Sequence, residues 1–367
     1  VLSMDASHLR AALEGARSGD DATRSAAERQ LLAMMSTRGG VAAVATFVTS
    51  ASETPPNRHI AAIALKRFAE KHWDSDEGEL TDEERAAARM TLLPALAEPH
   101  RLLRTGVAMA LAHIAAHDFP SRWPSYVADM LGAMQQPNPT LVHGAVRCLS
   151  VCPDYVFDER VVATLGLPLC TTLLSLYRNE AVPTRTRCRA AVALASLLDT
   201  LAMAGEEATL QPLQDPRLRP PGMPPPPNEV PTRAVVEQIL PHLLPALSAA
   251  LSTPPSSEAQ ATLQMQAVRL LSTLLLRLPR ATGEQAPGAV GALLQSMAAF
   301  LPLYVRHCVL EEDWPSGGDG GAGGGVDSDG DAGGGAALAR FFLELLEEGL
   351  REGSKLVQAV VGAHAES

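Results

Sequence analysis

Through most of this chain apolar residues recur three and four positions apart, the spacing that gathers them on one side of an α-helix. Between Arg58 and Trp73, Ile60, Ile63, Ala64, Leu65 and Phe68 make a broad apolar stripe. Such a helix must pack on neighbours rather than stand alone, and its neighbours are patterned alike. Helices are predicted in pairs: His8–Arg17 with Asp20–Ser36, Val41–Ser52 with Pro55–Trp73, Asp82–Ala97 with His100–His117, Pro124–Gln135 with Pro139–Cys152, and Asp158–Asn179 with Pro183–Met203. Asp20 or Asp21 is placed to cap the helix that follows. Pro55, Pro124, Pro139 and Pro183 stand where a helix begins, a position whose missing amide hydrogen costs nothing. Further helices are expected over Thr232–Ser252, Ser256–Leu278, Glu284–Tyr304 and Ala336–Ala363. Segments alternating at period two and rich in Val, Ile, Thr and Tyr are hard to find, so the expected fold class is all-α.

Successive pairs recur at roughly 40 residues, in the range of HEAT and armadillo repeats. One helical pair cannot bury its own apolar face, whereas a stack of pairs makes a continuous core. The second members Arg58–Trp73, Arg104–His117, His143–Cys152 and Arg187–Leu201 each open on a basic or polar residue and continue as an apolar run rich in small residues. That composition suits a helix packed closely on both sides. A HEAT-repeat superhelical solenoid of antiparallel helix pairs is therefore expected, interrupted twice. From Gly205 to Pro231 repeated prolines forbid a regular helix, and from Glu311 to Gly335 acidic residues and glycines cannot hold a packed core. The resulting organisation is repeats over 1–117 and 118–204, a proline-rich loop over 205–231, repeats over 232–310, an acidic glycine-rich disordered loop over 311–335 and the helix of a last repeat over 336–367.

Composition agrees with an array. Of the 367 residues 46% are hydrophobic but only 4% aromatic, so the apolar material is mainly Ala, Leu, Val and Met, good helix formers. The net charge of −11 argues against a primary role on nucleic acid backbone and is compatible with basic partners. Glu311, Glu312, Asp313, Asp319, Asp327, Asp329 and Asp331 carry most of the excess, with no basic residue among them. A flexible anionic segment of this kind attracts basic proteins by steering and short-range pairing, or serves only as a solubilising loop. Cys148, Cys152, Cys170, Cys188 and Cys308 are an odd number, and all but Cys308 fall inside helical patterns, so they read as reduced core thiols of a cytosolic or nuclear protein. No window approaches eighteen uncharged apolar residues free of proline, so no membrane span is expected.

Three enzyme or metal motifs fail on context. Gly318, Gly320 and Gly323 satisfy a G-x-G-x-x-G spacing with no strand before them. Asp327, Asp329 and Asp331 have the spacing of calcium ligands, but Ala332 replaces the turn glycine and Leu338 stands where a bidentate Glu is needed. Cys148 and Cys152 lie one helical turn apart near His143, without the second pair of ligands that a tight zinc site uses. No catalytic, cofactor or metal role is assigned to any residue, and the expectation is a binding protein, not an enzyme.

Several stretches resemble the importin-β family of nuclear transport receptors. They are Arg58–Trp73 (RHIAAIALKRFAEKHW), then Leu111–Pro124 (LAHIAAHDFPSRWP) with its Phe119, Pro120, Trp123 and Pro124, Val142–Arg147, Arg185–Arg189, Tyr304–Arg306 and Val326–Asp331. Together they run through nearly the whole chain in order, and because family members are much longer, the resemblance covers an N-terminal part of such a receptor. It implies that the first second-position helices bind the GTP form of the small GTPase Ran, with Arg58, Lys66, Arg67, Glu70 and Lys71 on the polar side of the candidate helix. A merely solvated face is the competing reading. The resemblance further implies that basic cargo such as histones or ribosomal proteins is held by the concave face and by acidic residues including Glu311, Glu312, Asp313, Asp327, Asp329 and Asp331, and released or rearranged on Ran-GTP binding. Nucleoporins are a further candidate partner, and a monomer shuttling between cytoplasm and nucleus is expected. Phe119 and Trp123 read as wedges in the turn between repeats rather than as a recognition pocket. The alternative is a HEAT-repeat scaffold or regulatory subunit unrelated to Ran.

Overall fold

The computed structural model describes residues 6–74, 80–152, 156–157, 159–210, 232–251 and 258–277, and among them every regular element is helical. The chain divides into two compact units, Val1–Val156 and Phe157–Ser367. The first holds α1 (Ala6–Gly15), α2 (Asp21–Met35), α3 (Gly40–Thr49), α4 (Pro55–His72), α5 (Asp82–Leu92), a 3-10 segment (Leu93–Ala97), α6 (Arg101–Asp118), α7 (Tyr126–Met134) and α8 (Pro139–Val151). Neighbours in sequence pair, as α1 with α2, α3 with α4 and α7 with α8. Across the pairs, first helices meet first helices (α3 on α5) and second meet second (α4 on α6, α6 on α8). This two-layer stacking is what the repeat period requires.

Local chemistry sets the boundaries. Asp20 caps α2 by accepting from the Thr23 amide at 2.8 Å, and Asn138 caps α8 through the Thr140 and Leu141 amides. Pro55 and Pro139 begin α4 and α8 as expected. Two boundaries differ. The helix predicted over Asp82–Ala97 stops at Leu92 and tightens into the 3-10 segment, because Pro94 lacks an amide hydrogen and its ring crowds the carbonyl four residues back. The helix predicted from Pro124 starts at Tyr126, with Pro124 in the turn before it.

The face that α4 buries is also rotated from the predicted stripe. Ala61, Ala62, Leu65, Phe68 and Ala69 are buried, whereas Ile60, Ile63 and Ala64 are only half-buried. Small residues take the packed side because α6 comes so close: a Cβ built at Gly106 would lie 3.1 Å from Ala62 Cβ and 3.4 Å from the His59 ring.

The second unit holds α9 (Glu159–Arg178), α10 (Thr184–Leu210), α11 (Thr232–Leu251) and α12 (Glu258–Arg277), with α10 packed on α9 and α12, and α11 on both of those. Helix α10 continues past Met203 to Leu210, so part of the stretch read as a proline-rich loop from Gly205 is helical. The first proline of that stretch is Pro212, and the residues before it include the good helix formers Glu206, Glu207, Ala208 and Leu210. The rest of the loop, the predicted Glu284–Tyr304 and Ala336–Ala363 helices, Cys308, and the acidic segment with its glycine and aspartate motifs lie outside the described residues. Cys148, Cys152 and Cys170 are buried free thiols, and burial pushes Cys152 up to about 12, leaving it unreactive at neutral pH.

Candidate partner-binding face on the second helices

The second helices are fixed by a recurring arginine. Near the start of α4, Arg58 turns inward, donating from Nε to the Val48 carbonyl at the end of α3 (2.7 Å) and pairing with Glu98 (2.6 Å). In the next pair Arg104 reaches the Glu98 carbonyl at 2.5 Å, and in the second unit Arg187 donates from Nε to the Tyr177 carbonyl of α9 at 2.8 Å. Last-turn carbonyls have no partner within their own helix, and a cation at that end also suits the helix dipole. At the opposite end of α3, the buried Glu84 of α5 accepts from the Val41 amide at 3.1 Å. Arg58 therefore does not belong to the exposed polar side of α4, correcting the expectation that grouped it with Lys66, Arg67, Glu70 and Lys71.

A buried carboxylate ties three helices together. Asp118, fully buried at the end of α6, accepts from Trp73 Nε1 at 2.8 Å and Arg122 Nε at 2.9 Å, and pairs with Arg89 of α5. Arg122 also pairs with Asp74, and Asp74 accepts a hydrogen bond from His117 Nδ1 at 2.9 Å. The Arg89 guanidinium lies 5.5 Å from the Trp123 ring centre, and that ring meets Tyr126 edge-on at 4.7 Å. Phe119 and Trp123 are buried, as the wedge reading expects. Sequence reasoning passed over Asp118, yet a signal was present: an acid at a helix C-terminus stands at the wrong end of the dipole and calls for nearby cations.

What α4 leaves exposed is a mixed-charge face. Arg67 and Lys71 are exposed, Lys66 is half-buried, Arg67 pairs with Glu28 of α2 at 2.8 Å, and Lys66 pairs with Glu70 at 3.7 Å. These exposed pairs are weak, so a partner can replace either acid at small cost. Alongside, α6 contributes His113 and His117, one turn apart and both half-buried. Desolvation, helped by Lys66, holds His113 below the ordinary histidine range. The structure thus brings Lys66, Arg67, Glu70 and Lys71 together, removes Arg58 to the interior, and adds His113, His117 and Arg122. Nothing in this set is arranged as nucleophile and base, and the face is suited to binding.

Residues 27–98 match the importin-beta N-terminal domain, and residues 100–165 match the exportin 1-like protein family. Over 184 residues the chain is 24% identical to importin-9 of Drosophila melanogaster, a stretch covering 47% of this chain and 18% of that protein. Among solved structures it is similar to importin beta, with a TM-score of 0.56 and 14% identity over 81% of this chain and 34% of that one. The exportin Cse1 in its cargo-free, cytoplasmic state gives a TM-score of 0.52 and 13% identity over 98% of this chain and 43% of that one. The fold is accordingly that of the helical-repeat solenoid proteins, and the chain spans less than half the length of each of these relatives.

Proposed function

From a chain that belongs to the importin-β family, corresponding to the N-terminal portion of its members, we infer a nuclear transport receptor that loads basic cargo and exchanges it for Ran-GTP. The observation that carries this reading is the face of α4 bearing Lys66, Arg67, Glu70 and Lys71, which lies inside the segment matched by the importin-beta N-terminal domain and is not buried by the packing of α4 on α3 and α6. On this reading Ran-GTP docks there, and Arg58 supports the helix from within. Basic proteins, histones or ribosomal proteins by charge class, are held by acidic residues including Glu311, Glu312, Asp313, Asp327, Asp329 and Asp331. Exchange then requires that each ligand bind better in the absence of the other, a coupling that is reciprocal by linkage. Such a receptor shuttles between cytoplasm and nucleus.

The test is competition. Ran-GTP titrated into a preformed complex of the chain with a core histone is expected to release or loosen the histone, while Ran-GDP leaves it in place. Histone retention at saturating Ran-GTP, with no Ran bound, would instead favour a scaffold that ignores Ran.

A further inference from the structure

In the second unit, α9 ends at Arg178 and α10 begins at Thr184. The bond from Arg187 Nε to the Tyr177 carbonyl, 2.8 Å long, pins these two helix ends together. The turn between them is held from within, the Ala181 amide donating to Asn179 Oδ1 at 3.0 Å and the Val182 amide to the Asn179 carbonyl at 3.0 Å. Arg178 adjoins the pinned carbonyl on one side, and Arg185 stands two residues before its donor on the other. Arg189 follows Arg185 by one turn on the same side of α10. From Val161 to Leu198 these arginines meet a single carboxylate side chain in sequence, that of Glu180, in a chain whose net charge is −11.

Folding does not account for all of this charge. Arg187 is used in the helix-to-helix bond, and Arg178 suits the negative end of the α9 dipole. Arg185 does neither. It lies in the first turn of α10, where the dipole is positive and no acid stands beside it. Arg178 and Arg185 are exposed, and neither makes a hydrogen bond or ion pair among the described residues. We propose that Arg178, Arg185 and Arg189, fixed at the α9–α10 turn, form a docking point for a glutamate- or aspartate-rich segment of a partner protein. Each guanidinium presents a planar fork that pairs with a carboxylate through two hydrogen bonds. A short acidic segment fits so small a patch, whereas a long nucleic acid would run out onto the negative charge of the rest of the chain. The docking point uses none of the α4 residues and is independent of what binds there.

The test is the affinity of the whole chain for a labelled poly-glutamate peptide at low salt. Wild type is compared with Arg178→Glu/Arg185→Glu, Arg185→Ala and, as a control for the α4 face, Lys66→Glu/Lys71→Glu, with the folding of each checked by circular dichroism. The double arginine reversal is expected to weaken binding at least about tenfold and Arg185→Ala about threefold, with the lysine control within about twofold of wild type. The urea midpoint of Arg185→Ala is expected to stay level or rise, since a cation leaves the positive end of a helix. No peptide binding by wild type, or equal affinity in wild type and both arginine variants, would overturn the proposal. A lowered midpoint for Arg185→Ala would overturn the claim that this charge is spare. Tighter binding through the same arginines of a single-stranded oligonucleotide of equal charge would overturn the acidic-protein partner.

Discussion

Arg58 sits at the start of a helix within the segment matched by the importin-beta N-terminal domain, yet its hydrogen bonds run to Val48 and Glu98 inside the protein. Arg58→Ala is expected to cost about 2–3 kcal/mol of stability, since it strands a buried carbonyl and most of a carboxylate, and to leave the Ran-GTP affinity of the folded protein within about twofold. Urea denaturation and a binding isotherm on the same preparation check both halves. Asp118→Asn keeps the shape but leaves Arg89 and Arg122 without their counter-charge, so a loss of about 3 kcal/mol is expected by urea denaturation. His113, held below its ordinary value by burial, binds its proton less readily in the folded state than in the unfolded state. Its neutral form therefore costs nothing above about pH 6.5, and stability falls as pH drops through and below that value. Melting temperatures of wild type and His113→Gln are expected to diverge on acidification, with the variant losing less. At this scale the sequence was only partly legible. A basic residue opening each second helix was visible in Arg58, Arg104 and Arg187, but its carbonyl partner lies on another helix, so an inward arginine looks the same as a solvated one.

Helix contacts are set by what is small. A Cβ at Gly144 of α8 would come within 2.6 Å of the Leu96 carbonyl oxygen, backbone of the 3-10 segment that cannot move aside cheaply. Gly144→Ala is thus expected to destabilise by about 1–3 kcal/mol, the usual cost of overpacking, read as a lowered denaturation midpoint. Most elements could be read from periodicity and caps alone: the paired helices, Asp20 and the prolines Pro55 and Pro139 that begin α4 and α8. The misread boundaries have local causes. Pro94 breaks a helix whose apolar pattern continues through it, and the helix before the proline-rich stretch ends where the prolines begin, not at Gly205. The buried side of α4 was misplaced for a different reason: alanines carry little weight in an apolar stripe, yet they are what close packing on α6 selects.

For the molecule as a whole, the repeat period agrees with the paired helices, and the stretches ending at Trp73 and around Trp123, which resemble the importin-β family, fall within the segments matched by the importin-beta N-terminal domain and the exportin 1-like protein family. The proposed docking face was less legible, because one side of a solvated helix has no pattern of its own and its neighbours are known only when α2, α4 and α6 are set side by side. That face carries charges of both signs held in weak internal pairs, such as Arg67 to Glu28, that a partner can replace. The decisive measurement is the affinity of the chain for Ran-GTP, with Ran-GDP as control, for wild type and for a Lys66→Glu/Arg67→Glu/Lys71→Glu variant shown to melt normally. A GTP-dependent interaction weakened at least about tenfold by the reversal is predicted, about 1.4 kcal/mol or more. Equal affinity in wild type and variant, or no preference for the GTP form, would contradict it.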